Sequence, residues 1–269
     1  MTELTVTFPH ATTRFRIKTD NISLICFLQT YYNQTTDNAA LSTFNIEYKS
    51  ASMLLNLDGK ESIVHTDFII EKIASYIREN IQFEKDWLAL HGSVVVINGI
   101  PMMFLGKTGT GKTTLVSFLN CFGCPIVCED LSIINIRTLE VANIKRPLAL
   151  REAGYRLLRE TYACAIECSG RTYNDKLICH NAHFVPVDSK CFVKYFFLLE
   201  RIPQTTMLTS LEPSEVLLYN SYLYHDIAQI YLKTSVLKSK ICIRKLIYND
   251  LHKALELLRI IAEKDKNDK

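Results

Sequence analysis

The residues best suited to chemistry stand in one short stretch. Gly106-Lys107-Thr108-Gly109-Thr110-Gly111-Lys112-Thr113 has the spacing G-x-x-x-x-G-K-[ST], with Thr114 following. Small residues and glycines let successive backbone N–H groups turn inward around a phosphate. A helix opening behind them adds its positive end. Lys112 can bridge the outer phosphates of a nucleotide, and the Thr113 hydroxyl can ligate Mg2+. Downstream, Pro125-Ile126-Val127-Cys128 is apolar and ends in two carboxylates, Glu129 and Asp130. One can hold Mg2+ directly or through water, and the other can take a proton from an incoming hydroxyl. Upstream, His91-Gly92 opens a β-branched run. A histidine there is either a structural hydrogen-bonding group or a partner of the acids.

These groups need a scaffold, and the flanking pattern supplies one. Met102 to Leu105 is an apolar strand running into the loop, and Thr113 to Leu119 is a short helix leaving it. Ser93 to Ile97 is a buried strand bounded by Asn98-Gly99, and Pro125 to Cys128 is another. Strand, helix and buried strand in this order predict α/β packing on a mixed sheet. Tyr195 to Leu199 predicts a further core strand, and 212–219 and 222–231 predict helices. The spacing of Leu251, Leu255, Leu258 and Ile261 predicts a basic C-terminal helix over 246–262, with 264–269 as a frayed tail. Those leucines are also expected to offer a face for subunit packing in a homo-oligomer.

Residues 1–85 have a different texture. Leu4 to Phe8, Arg14 to Ile17 and Ser50 to Leu57 are strand-like, with Asp58-Gly59 as a turn. Ile22 to Tyr32 is apolar without a clear period, and Asp67 to Ile81 is an amphipathic helix. The chain is therefore expected to form a small N-terminal α+β domain over 1–85 and a nucleotide-binding domain over 86–269.

Composition narrows the function classes. The 269 residues are 48% hydrophobic and 22% charged, a globular balance. A net charge of +3 does not point to nucleic acid, and the basic C-terminal stretch lacks the interleaved aromatics that stack single strands. No apolar run reaches membrane-span length, and the first ten residues lack a secretory pattern. Nine cysteines in such a chain are expected to be reduced thiols of a cytoplasmic protein. Cys121, Cys124 and Cys128 have metal-like spacing but are expected to be buried thiols. Cys179, His180 and His183 are a weaker-spaced zinc candidate, short of the four ligands a closed site needs.

The order Leu90-His91-Gly92, then Gly106 to Thr114, then Gly123 to Asp130 resembles the HPr kinase/phosphorylase superfamily. Arg146-Pro147-Leu148-Ala149-Leu150-Arg151 is similar to a further segment of that family. The resemblance covers about residues 88–155, and it is closer to the short serine kinases found beside genes for modified peptides, such as lasso peptides. It implies a phosphate-loop mixed-sheet domain of the HPr kinase/phosphoenolpyruvate carboxykinase type. It implies ATP and Mg2+ as cofactors, and phosphorylation of a serine hydroxyl on a peptide or small protein. Asp130 would then be the catalytic base, with Glu129 and Thr113 near the metal. His91 would stand beside the acid, and Arg146 and Arg151 would be contacts for the acceptor or its phosphate. The alternatives are a kinase of a small molecule, such as free serine or a sugar, and a nucleotide-binding switch that needs no base.

Overall fold

The computed structural model describes residues 1–32, 42–144, 146–171, 176–179, 181–186, 189–211 and 227–267. The chain forms two compact units, Met1–Trp87 and Leu88–Lys269.

The first unit is a five-stranded sheet in the order β1-β2-β3-β4-β5, with two helices. Its strands are β1 (Thr2–Val6), β2 (Thr13–Thr19), β3 (Ser42–Lys49), β4 (Leu54–Leu57) and β5 (Lys60–Ile63). Its helices are α1 (Ile22–Tyr32) and α2 (Thr66–Asn80). In β2 every second residue is buried, so Phe15 and Ile17 enter the core between exposed or half-exposed partners. The Asn21 carboxamide oxygen accepts from Leu24 N at 3.0 Å and starts α1, where periodicity alone was ambiguous. Asp58 and Gly59 both have positive φ and close the β4–β5 hairpin. β3 lies outside the expected strands: its apolar residues Phe44, Ile46 and Tyr48 alternate behind a polar stretch, and pairing of Ser42–Tyr48 with all of β2 draws it in.

The second unit takes in β6 (Trp87–Leu90) from Leu88 on, then β7 (Gly92–Ile97) and β8 (Ile100–Leu105), followed by α3 (Lys112–Cys121). Next come β9 (Ile126–Cys128), β10 (Ser132–Asn135), β11 (Glu140–Val141), β12 (Leu148–Leu150) and α4 (Glu152–Arg156), which continues as one π-helical turn, Leu157–Thr161. Strands β13 (Cys168–Arg171), β14 (Leu177–Cys179), β15 (Cys191–Phe192), β16 (Tyr195–Arg201) and β17 (Met207–Ser210) follow. The unit closes with α5 (Ile227–Lys238), β18 (Cys242–Tyr248) and α6 (Leu251–Asn267).

The principal sheet has six strands in the order β17-β18-β16-β8-β7-β9 and is mixed. β16 runs parallel to both β8 and β18, whereas β7 is antiparallel to β8 and β9. This topology decides where the chemistry sits. The parallel strands β8, β16 and β18 all end at one edge of the sheet. β7 runs the other way, so its beginning, Gly92, pairs with Leu105 at that same edge. β9 reverses again and ends there too. The His91 turn, the loop after β8 and the acids after β9 are thus gathered by strand direction alone. Phe104, Phe197, Phe118 and Leu119 are fully buried with the helices that cover this sheet.

Three expectations need correction. The C-terminal helix does not start at residue 246: Leu246 to Tyr248 belong to β18, and the Asp250 carboxylate caps the helix by accepting from His252 N at 2.8 Å and Lys253 N at 3.1 Å. The helix runs on to Asn267 because Asp265 is buried, accepting from the Tyr195 hydroxyl at 2.6 Å and pairing with Lys194 at 3.4 Å, so the tail is anchored through most of its length. Leu251, Leu255 and Leu258 are buried in their own unit's core, so these three side chains are not available to a second copy. The helices expected over 212–226 lie outside the described residues. In the described part, helix α5 starts at Ile227 and extends past 231 to Lys238.

Candidate functional site

The loop between β8 and α3 is built from residues that tolerate its backbone. Gly106, Gly109 and Gly111 all have positive φ. At Gly111 (φ 89°) there is also no room, because a Cβ would stand 2.5 Å from the Tyr248 hydroxyl. That hydroxyl donates to the Thr110 carbonyl at 2.9 Å, and Thr110 Oγ1 donates to the Lys107 carbonyl at 2.8 Å. Lys112, the first residue of α3, is buried. Its ammonium donates to the Gly106 carbonyl at 2.5 Å and the Lys107 carbonyl at 3.4 Å.

Thr113 Oγ1 donates to Glu129 Oε1 at 2.7 Å, joining the helix start to the acids after β9. Glu129 is buried and Asp130 is half-exposed. Asp130 has φ 66°, a left-handed backbone that Asp tolerates better than most residues, and the two carboxyls have different partners. Asp130 lies 3.4 Å from His91 Nδ1 through one oxygen and 3.8 Å from the Arg146 guanidinium through the other. The pairs His91–Asp130, Arg146–Asp130 and Thr113–Glu129 are thus close.

Environment drives the two acids apart. Burial first, then the Asp130 charge, push Glu129 up to about 7, against the Thr113 hydrogen bond and two lysines. Burial also acts to raise Asp130, but His91, Arg146, Lys176 and Lys112 outweigh it and hold that carboxyl below the ordinary value. Burial likewise depresses His91, with Asp130 opposing, and depresses Lys112, with Asp130 and Glu129 opposing.

One cavity of about 270 Å³ joins these parts, with His91, Thr108, Gly109, Gly111, Lys112, Thr113, Thr114, Asp130 and Arg151 in its wall. Of the remaining sequence-predicted residues, Gly106 and Lys107 accept from Lys112, Glu129 from Thr113, and Thr110 closes the loop's turn. Arg146 reaches the cavity through Asp130. Three residues escaped the sequence reading. Lys176, just before β14, lines the cavity, as does Arg201 at the end of β16, whose side chain lies against Gly111 of the loop. Tyr248, at the end of β18, clamps the loop from behind. Arg201 and Tyr248 are partners in the parallel β16–β18 register, so the topology that gathers the loop also gathers them. The sequence marks Arg201 only as the first residue of an Arg201-Ile202-Pro203 turn, and Lys176 and Tyr248 not at all.

The site can hold an anion at a helix N-terminus lined by lysine, and it offers two hard oxygen donors, Thr113 and Glu129, side by side. Such a pair suits a small divalent cation that keeps water in its remaining positions. Among the described residues, no three His, Cys, Asp or Glu side chains converge as a metal cluster. Cys179 is buried on β14, His183 N donates to Asn120 at 3.0 Å, and His180 lies outside the described residues. Cys124 and Cys128 are buried and Cys121 is exposed. No helix among the described residues is long and apolar enough to cross a membrane.

No protein-family model matches the chain, and no curated protein does. Among solved structures, the HPr(Ser) kinase/phosphatase from Coxiella burnetii aligns with 67% of this chain and 99% of its own, at 10% identity and a TM-score of 0.29. A likeness of that order is coarse, and the site's chemistry has to come from its own residues. Those residues belong to an α/β unit with a mixed sheet, whose loop, acids and basic groups share one cavity.

Proposed function

We propose that the Leu88–Lys269 unit is a phosphotransferase that uses ATP with Mg2+ and phosphorylates a serine hydroxyl on a peptide or small protein. The observation that carries the proposal is the common cavity: Lys112 and Thr113 at the start of α3 face the same space as Asp130 and His91. A loop that only stored a nucleotide would have no use for an ionised carboxylate there. The choice of serine, and of a peptide or protein as its carrier, rests on the sequence resemblance over residues 88–155.

The roles follow from position. Backbone N–H groups of the Gly106–Gly111 loop and the start of α3 would hold the donor's phosphates. Lys112 moves from the loop carbonyls to the transferring oxygens. Thr113 and Glu129 would hold Mg2+, whose charge neutralises the phosphates as the bond breaks. A cation there also offsets the burial that keeps Glu129 protonated near neutral pH. Asp130 stays ionised, orients the acceptor hydroxyl and takes its proton late in transfer, which a loose transition state allows. His91 and Arg146 fix the Asp130 carboxylate from its two sides.

The direct test is intact mass of candidate peptides and proteins after incubation with Mg-ATP, beside nucleotide Kd and single-turnover transfer for Asp130→Asn. The expected outcome is an added phosphoryl group on a serine, and a variant that binds nucleotide but transfers at least a hundredfold more slowly. Consumption of a small hydroxyl compound with every peptide and protein unshifted would move the acceptor to the small-molecule class. Wild-type transfer by Asp130→Asn would remove Asp130 as the base.

A further inference from the structure

A second group of reactive side chains lies in the three-stranded sheet β12-β14-β13. Cys168 on β13 stands directly opposite Cys179 on β14, and their sulfurs are 3.0 Å apart. Neither is in a disulfide. Opposed residues of an antiparallel pair have Cα atoms about 4.5–5.5 Å apart, inside the range of about 4.4–6.8 Å that a disulfide spans. A bond of about 2.05 Å therefore needs roughly 1 Å of sulfur movement and no rearrangement of the strands.

The two thiols differ in access. Cys168 is half-buried and lines an open cavity of about 630 Å³ together with Tyr155, Arg159 and Glu167. Arg159 brings a guanidinium to the same cavity wall as Cys168. Cys179 is buried behind it. One sulfur is thus open to a small oxidant beside a cation, and the other is in contact with it.

We propose that Cys168 and Cys179 form a peroxide-responsive dithiol that closes reversibly to a disulfide. The Cys168 thiolate attacks a peroxide oxygen, the O–O bond breaks, and Cys168 becomes a sulfenic acid as water leaves after protonation. The Cys179 sulfur then attacks the Cys168 sulfur, the S–O bond breaks, the S–S bond forms, and a second water leaves with the thiol proton. Two equivalents of a small thiol restore both cysteines and are themselves oxidised to a disulfide.

The crosslink has an address in the fold. β14 is the central strand of its sheet, Lys176 directly precedes it, and its partner β12 runs straight into Arg151. Tying β14 to β13 therefore restrains the segment that presents the two cations of the nucleotide-site cavity. Disulfides in reducing compartments are mostly transient sensors of this kind.

The test treats the reduced full-length chain with a small excess of hydrogen peroxide, alkylates remaining thiols and maps peptides by mass. The expected result is a Cys168–Cys179 linked peptide that dithiothreitol releases, absent in Cys168→Ser and Cys179→Ser. Amide exchange over Leu177–Cys179 should slow at least several-fold in the oxidised wild type and stay unchanged in Cys168→Ser. Three results would overturn the proposal: Cys168 passing to sulfinic acid unlinked, preferential linking of Cys121 with Cys164, a thiol in hydrogen-bond contact with it, or tightly held zinc that leaves only when Cys168 and Cys179 are blocked. A linked peptide with unchanged exchange would overturn the restraint on β14. None of these readouts uses phosphotransfer, so failure here is separate from failure of the kinase reading.

Discussion

The two sides of the cavity are built differently. On the loop side, Lys112, Thr113, Glu129 and Tyr248 make short hydrogen bonds to backbone or to one another, and Lys112 and Glu129 are buried. In another part of its wall, Arg151 is exposed and Lys176 half-buried, and both adjoin strands of a small separate sheet. Burial makes the loop side rigid and electrostatically strong, because a charge in a dry setting acts through a low dielectric. Exposure makes the cationic side adaptable and weak per contact. On the proposed reading, the first would hold the invariant phosphate donor and the second an acceptor that is captured and released.

That contrast can be broken at its strongest point first. Lys112→Ala removes the buried ammonium and should cost about 3 kcal/mol of transition-state stabilisation, read as single-turnover transfer, with a smaller loss of nucleotide affinity. Activity near wild type would mean that the loop side is scaffold and not machinery.

Glu129 comes next, through pH. Its folded-state value, up from 4.5 to about 7, means that the folded protein keeps a proton the unfolded chain gives up earlier. Stability is therefore fully present below about 4.5 and declines as pH rises towards 7. Glu129→Gln should flatten that decline and be the more stable of the two at pH 8 by about 2 kcal/mol, measured by denaturant unfolding in a chelator. Parallel pH profiles for variant and wild type would show that burial does not govern this side.

The cationic side should respond in a different parameter. Lys176→Ala should raise the acceptor KM by about tenfold, or ~1.4 kcal/mol, and leave nucleotide Kd unchanged. A loss of nucleotide affinity instead would make the two sides one binding surface. The smallest effect belongs to Tyr248→Phe, which removes one neutral hydrogen bond to the Thr110 carbonyl. Thermal stability should fall by about 1 kcal/mol and nucleotide Kd rise only slightly. A large fall in kcat would show that the clamp, and not the glycines, shapes the loop.

The same contrast explains what the sequence disclosed. The loop, the paired acids and His91 were legible because their spacing and their flanking apolar runs are local, and mixed-sheet α/β packing followed from those runs. Lys176, Arg201 and Tyr248 were not, because each is a common residue that matters only through strand pairing over long separations. The segment 242–262 shows the limit well. Leu246 and Leu251 fit one apolar period, so a helix seemed to begin at 246, but Asp250 caps the helix from outside and the residues before it gain more by pairing with β16. Asp265 looked like part of a solvated tail, and only the fold brings the Tyr195 hydroxyl to it.

The bond from Lys112 to the Gly106 carbonyl has a selective consequence. That ammonium already has an occupant, so any incoming anion competes with a charge-assisted hydrogen bond of about 1.5–3 kcal/mol. A ligand with a single terminal phosphate recovers little beyond that loss. A polyphosphate reaches the loop amides and the ammonium together and recovers it several times over. On the proposed reading, the loop would therefore favour ligands of high total charge whatever their base, sugar or acceptor.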